Sequence, residues 1–272
     1  MRSNIDQEID EILDVVYQTY GYDFKNYQRN HIRRRLTRWM LFSKLENIDD
    51  IKNKIAKDRN FFDSLLNELS VCVTEMFRDT EFFLFLRKDI VPYLFTQPLV
   101  KIWTAGCSTG EEAYSIAIIL AEEGLYERSI IYATDISNSA IKKAKEGIIP
   151  TSQIRKYTEN YQKSGGKKSL ADYFNAFSGL AQLHKELQKN IVFSQHNLAT
   201  DSFFGEMHLI LCRNVLIYFD RKLQDRVVKI FDHSLAPQGF LGLGPSETLH
   251  FNKSSKNFVL LDENLIFYQK RF

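Results

Sequence analysis

Apolar residues recur every three or four positions through the first seventy residues, and then in short runs beyond Val100. The first regime predicts helices over 5–19, 26–42, 47–56 and 60–69, with no strand among them. The segment "VTEMFRDTEFF" (73–83) leads into a further helical stretch that ends near Pro92. From Val100 the runs "VKIWTA", "SIIYATD", "NIVFSQH", "MHLILCR" and "GFLGLG" alternate with helices expected near 110–123, 137–146 and 221–235. Such alternation predicts an α/β domain with a mostly parallel sheet. The tail "KNFVLLDENLIFYQKR" predicts two strands around a turn at Asp262-Glu263-Asn264, which adds an antiparallel strand at one side. The least regular stretch is 148–190, where "KSGGKK" (163–168) reads as loop by composition.

Composition narrows the class. A chain of 272 residues with 44% hydrophobic and 13% aromatic content has ample material for a packed core. No apolar run approaches the roughly 20 residues of a membrane helix. The acidic, amphipathic start "MRSNIDQEIDEILD" lacks the apolar core of a signal peptide. The three cysteines, Cys72, Cys107 and Cys212, are far apart and odd in number. They predict a reducing, cytoplasmic setting and neither a zinc site nor a disulfide framework. Net charge is only +2, but its distribution is uneven: residues 25–44 hold seven Lys/Arg and no acid. On a helical wheel Ile32, Leu36, Trp39 and Met40 share one face, with His31, Arg34 and Arg38 opposite. A solvated face, a nucleic-acid surface and a dock for an acidic protein all stay open for this helix, although no nucleic-acid motif accompanies it.

The turn after the first strand carries the candidate chemistry. "VKIWTAGCSTGEEAYSIAIILAEE" (100–123) has the strand, small-residue turn and helix of a nucleotide site, but only Gly106 and Gly110 of the glycines. Glu111 and Glu112 follow at once, where a pyrophosphate would be repelled and an ammonium welcomed. Asp135, at the end of the next strand, suits ribose hydroxyls. A ligand with an ammonium, a ribose and no phosphate fits this set, and S-adenosylmethionine (SAM) is such a ligand.

With these fragments in hand, the chain resembles the chemotaxis receptor glutamate methyltransferases of the CheR type. The resemblance spans nearly the whole length. It is carried by "VTEMFRD" (73–79), "WTAGCSTGEEAYSIAI" (103–118), "ATDIS" (133–137), "HNL" (196–198), "CRNVLIYFD" (212–220) and "GPSET" (244–248). Cys72 stands where the family usually has asparagine, and Pro245 replaces the histidine of a G-H-S-E turn. The resemblance implies a class I SAM-dependent methyltransferase fold: Rossmann-like, mostly parallel, with a closing antiparallel strand. It also implies a helical N-terminal domain over 1–72, a linker with the first cofactor motif over 73–98, and the SAM-binding domain over 99–272. A small β-subdomain is expected at about 170–195.

The implied reaction moves the SAM methyl group to a receptor glutamate, giving a methyl ester and S-adenosyl-L-homocysteine. By the resemblance Arg78 pairs with the methionine carboxylate and steers the incoming glutamate, and Tyr218 lines the methyl-transfer site. Thr74 and the residue at Cys72 touch the cofactor. Glu111 is expected at the ammonium in preference to Glu112, Asp135 at the ribose, and Asn197 and Leu198 at adenine. Arg213 and Asn214 hold the loop or the cofactor, Cys107 and Cys212 pack, and no metal is expected. Arg34 and Arg38, four residues apart, would dock the acidic helical bundle of a receptor. The enzyme is expected to act as a monomer, without inserting into the membrane and without binding a receptor-tail pentapeptide. A methyltransferase of another signalling protein and a non-catalytic SAM-binding module remain the alternatives.

Overall fold

The computed structural model describes residues 2–43, 45, 47–202 and 205–271. Four helices open the chain: α1 (Arg2–Tyr20), α2 (Arg29–Ser43), α3 (Ile48–Lys57) and α4 (Arg59–Leu69). Their apolar stripes meet in one core that includes Ile12, Leu36, Ile51 and Leu65. Asp58 starts α4 by accepting the Asn60 and Phe61 N–H groups, an N-cap that lets α3 and α4 follow one another almost without a loop.

An extended strap, residues 70–79, crosses to the second domain. There α5 (Thr80–Phe85), a π-helical turn (Leu86–Ile90) and α6 (Val91–Leu94) pack against the sheet. The sheet and its helices follow as β1 (Val100–Ala105), α7 (Glu111–Glu122), β2 (Ser129–Asp135) and α8 (Asn138–Glu146). Next come β3 (Ile148–Pro150), α9 (Thr151–Lys163), β4 (Phe174–Phe177), β5 (Leu180–Leu183) and β6 (Ile191–Gln195). The chain closes with β7 (Met207–Cys212), α10 (Arg221–Ser234), β8 (Leu235–Leu243), β9 (Phe258–Asp262) and β10 (Phe267–Lys270).

The main sheet has the order β6-β2-β1-β7-β8-β10-β9. Strands β6, β2, β1, β7 and β8 run parallel, and β10 is antiparallel to both β8 and β9. The β9–β10 hairpin thus lies at one side of the sheet, as expected, with the antiparallel β10 seated between β8 and the edge strand β9. Chain reversal after β1, where the order turns to β7, makes the β1 carboxyl end the topological switch point, the place where such sheets hold ligands.

The region 148–190 departs from expectation in part. The thirteen-residue α9 is not foreseen, whereas residues 164–169 form the expected loop and a second sheet of order β3-β5-β4 follows where the small β-subdomain is expected. The helix is polar nearly throughout and buries only Tyr157 and Tyr161, one turn apart. The small sheet draws β3 from upstream of α9, while β6 pairs with β2 in the main sheet.

Candidate active site

The carboxyl ends of β1, β2 and β7 bring three loops together: Gly106–Ser108, Asp135–Ile136 and Arg213–Phe219. With the strap they wall a cavity of about 370 Å³. Gly106 turns the chain at φ +83, and a Cβ on it would lie 2.5 Å from Val215 Cγ2. Only glycine lets the first loop sit this close to the third.

The expected residues converge with one exception. Cys72, Thr74, Arg78, Asp135, Asn197, Leu198, Arg213, Asn214 and Tyr218 all line the cavity, although they come from four separate segments. Glu112 lines it too, and Glu111 does not. Gly110, at φ +96, starts α7 so that Glu111 turns sideways and accepts the Thr109 hydroxyl at 2.7 Å. The acid that faces the ligand space is thus Glu112, a correction to the expectation from sequence. Residue Glu111 lies one position nearer the turn, but the helix rotation points it away.

Glu112 is held by Arg213. The guanidinium donates to Glu112 Oε2 at 3.1 Å, to the Arg78 carbonyl at 3.1 Å and to Asp79 Oδ2 at 2.6 Å. It lies over the Phe82 ring, 4.0 Å from the centroid. One buried cation therefore ties the helix α7 carboxylate to the strap that carries Arg78. Burial pushes the Glu112 carboxyl above its ordinary value, and Arg213 works against that shift.

Asp135 is fixed by backbone. Its Oδ2 accepts the Ser108 N–H and its Oδ1 the Ser137 N–H, both at 2.9 Å. Burial raises its carboxyl, and these N–H donors oppose the rise. A carboxylate at a strand end with acceptor capacity beyond these donors suits a diol. Asn197 Oδ1 accepts the Ala199 N–H at 3.0 Å, so the amide is oriented before any ligand arrives.

Tyr218 sits between the two domains. The Tyr218 carbonyl accepts the Gln28 N–H at 2.8 Å, and Tyr27 and Phe219 form an isolated antiparallel bridge. Burial raises the Tyr218 phenol, while the nearby Arg35, Arg78 and Arg34 charges act in the opposite sense. Basic helix α2 therefore abuts the cavity mouth. Arg34 and Arg38 are exposed, as the wheel predicts, but His31 is buried against the Tyr218 ring and not on their face. Its placement corrects the expectation of a solvent position.

Two contributors escaped the reading of the sequence. Tyr27 lines the cavity from the helical domain, and no local pattern marks it. Glu247, in "GPSET", accepts four backbone N–H groups and shapes the loop that carries Asn214 and Tyr218. A buried acid in a conspicuous turn was the available signal.

The donor set suits SAM: a carboxylate for a cation, a second at a strand end for a diol, an oriented amide, and no cluster of phosphate-binding glycines. Among the described residues no group of three or more His, Cys, Asp or Glu is placed to hold a metal, and no helix is long and apolar enough to cross a membrane.

Comparison with known proteins gives the family. Residues 7–70 match the family model described as "CheR methyltransferase, all-alpha domain", and residues 72–264 match "CheR methyltransferase, SAM binding domain". A Pseudomonas putida protein bearing the methyltransferase name Cher3 is 44% identical over 94% of this chain and 93% of its own. The chemotaxis protein methyltransferase of Borreliella burgdorferi is 31% identical over 91% of this chain and 90% of its own. That of Salmonella typhimurium is 29% identical over 94% and 88%.

Proposed function

The chain belongs to the CheR methyltransferase family and takes S-adenosylmethionine as its cofactor, and from that premise we propose that it methylates glutamate side-chain carboxylates of chemotaxis receptors. The observation that carries this reading is the mouth of the cavity. Arg78 and Tyr218 both line the cavity, and α2, with Arg34 and Arg38 exposed, meets Tyr218 through His31, so an acidic acceptor is drawn to the point where the cofactor cavity opens.

When bound, the cofactor supplies a methyl group on a sulfonium, an electrophile that needs no activation. Glu112 meets the ammonium, kept in place by Arg213. Asp135 takes the ribose hydroxyls, and Asn197 with Leu198 takes adenine. Arg78 holds the methionine carboxylate and attracts the acceptor; Tyr218 bounds the transfer site and excludes water from it. Thr74 and Cys72 form the strap side of the cavity.

No general base is required of this chain. A glutamate with a reference pKa of ~4.3 is already an anion near neutrality. The protein's task is to align acceptor and cofactor, and orientation alone can supply roughly 7–11 kcal/mol of the barrier. Arg34 and Arg38 on α2 dock the receptor's acidic helices and speed encounter.

The test is to incubate the protein with methyl-labelled SAM and membranes that bear its host's chemotaxis receptors. Label on a receptor-sized band, released as methanol by mild base, is the expected result. Base-stable label, or none on receptors, would overturn the assignment.

A further inference from the structure

Helix α2 carries, one turn before its exposed arginines, a buried histidine that the scheme above leaves unused. His31 is 8% exposed and lies outside the cavity wall. Its ring centroid is 4.6 Å from that of Tyr218, with the planes tilted by 43°. Its Nε2 is 3.3 Å from the Leu69 carbonyl oxygen, to which it donates when Nε2 carries the proton. Leu69 ends α4 and leads into the strap, whose residues to Glu75 and then Arg78 wall the cavity. One imidazole therefore touches both sides of the mouth: the strap through a hydrogen bond, and the transfer-site aromatic through its ring.

The surrounding contacts keep that imidazole in place. Gln28 donates its N–H to the Tyr218 carbonyl at 2.8 Å and its side-chain amide to the Phe219 carbonyl at 3.0 Å. The Tyr27 ring meets Phe219 edge-on at 4.9 Å. Burial, with Arg35 and Arg34 beside it, lowers the His31 pKa against the pull of the Leu69 carbonyl and Glu68. A neutral ring with one donor is the form these two contacts need.

We infer that His31 is a positioning residue for methyl transfer, fixing the Tyr218 ring relative to the Leu69–Glu75 strap and so setting the opening through which the acceptor carboxylate enters. The role given to Tyr218 rests on the reading in the preceding subsection. Because His31 sits on the helix that would dock the receptor, it also links that surface to the reacting end of the cavity.

Three variants test the claim. His31→Phe keeps a ring without the donor, His31→Gln keeps a donor without the ring, and His31→Ala keeps neither. In each, kcat for receptor methylation falls at least about tenfold, since small misplacements of a transfer site are costly. SAM affinity falls by less than kcat, because His31 lies outside the cavity wall and reaches the cofactor side only through the strap. A cycle combining His31→Ala with Tyr218→Ala gives losses in kcat that are less than additive. Additive losses, or a parental kcat in all three single variants, would overturn the inference. A second readout is independent of any acceptor: in His31→Ala, backbone amide exchange accelerates in both 70–74 and 215–219. Unchanged exchange in either segment would also overturn it. If the parent protein fails to methylate receptors, the proposed substrate is wrong, and the exchange data alone decide the role of His31.

Discussion

Glu247 and Asn214 are 33 residues apart, and the Asn214 N–H donates to Glu247 Oε2 at 2.9 Å. The same carboxylate accepts the Gly244, Val215 and Ile217 N–H groups at 2.6, 2.8 and 3.2 Å. Asn214 has φ 60, so the chain after β7 turns through a left-handed residue and leaves the sheet ladder. Glu247 replaces the lost ladder partners. A site loop that would otherwise bury unpaired donors is organised by one side chain from a distant turn.

Replacing Glu247 with Gln puts an NH2 group against two of those four donors. Each orphaned buried donor is costly, so the Glu247→Gln variant should lose roughly 2–3 kcal/mol of stability. Methyl transfer should fall further than SAM affinity, because the loop carries Tyr218 as well as cofactor contacts. Urea unfolding with parallel kinetics checks both; a parental midpoint would show that the loop holds itself.

The two acids at the start of α7 should separate cleanly. Glu112→Gln should weaken SAM binding by roughly 1.5–3 kcal/mol, the range for a hydrogen bond to a charged group. Glu111→Gln should stay within ~0.5 kcal/mol, since its carboxylate is turned to Thr109. Equal effects in calorimetry would return Glu111 to the site.

Glu112 also makes a pH prediction. Burial raises its pKa above 4.5 in the free protein. A raised carboxyl contributes stability that is present below 4.5 and lost as pH climbs through the folded value. A cationic ligand prefers the carboxylate, so SAM affinity should rise with pH over that same window. The rise should be smaller in the Glu112→Gln variant; an identical pH profile in the two proteins would place the titration elsewhere.

These residues show what a sequence discloses and what it hides. The ends of β1 and β2, with Gly106 and Asp135, were legible because a strand, a turn and a strand end are local patterns. The choice between Glu111 and Glu112 was not, because α7 is buried nearly all round and its periodicity marks no face. Helix α9 was hidden by polarity: its only buried anchors are Tyr157 and Tyr161, a spacing that is a helical signal only in hindsight of a partner surface. His31 fell on the wrong side of the wheel for a different reason. Its partner, Tyr218, belongs to the other domain, and a wheel registers only the helix's own stripe.

Receptor docking should respond to charge and salt. Arg34 is exposed, and Arg38 is exposed although its Nε lies 3.4 Å from Glu68. Reversing both, Arg34→Glu with Arg38→Glu, should leave SAM affinity intact and slow receptor methylation most at low ionic strength, because such rim charges act chiefly on association. Parental rates at every salt concentration would reduce α2 to a solvated face.

With receptors as the proposed substrate, the second sheet bears on how the enzyme would reach them. Gripping a receptor-tail pentapeptide by strand addition needs an accessible edge and room for backbone to approach it. Here β4 and β5 pair from Phe174↔Leu183 to Phe177↔Leu180, leaving only Ser178 and Gly179 between them. Both have positive φ, 45 and 79, the conformation of a minimal hairpin turn. That turn has no inserted loop and one glycine. The edges are β3, three residues long and ending in Pro150, and β4, four residues long, and short edge strands discourage pairing. The enzyme should therefore recognise receptors without the tail peptide and depend on direct docking through α2. A fluorescence-anisotropy titration with a labelled receptor-tail peptide should show no saturable binding at micromolar protein. Saturable binding that disappears when β4 is altered, for instance in Ala176→Pro, would reverse this conclusion, because proline there removes an edge N–H that an added strand would use.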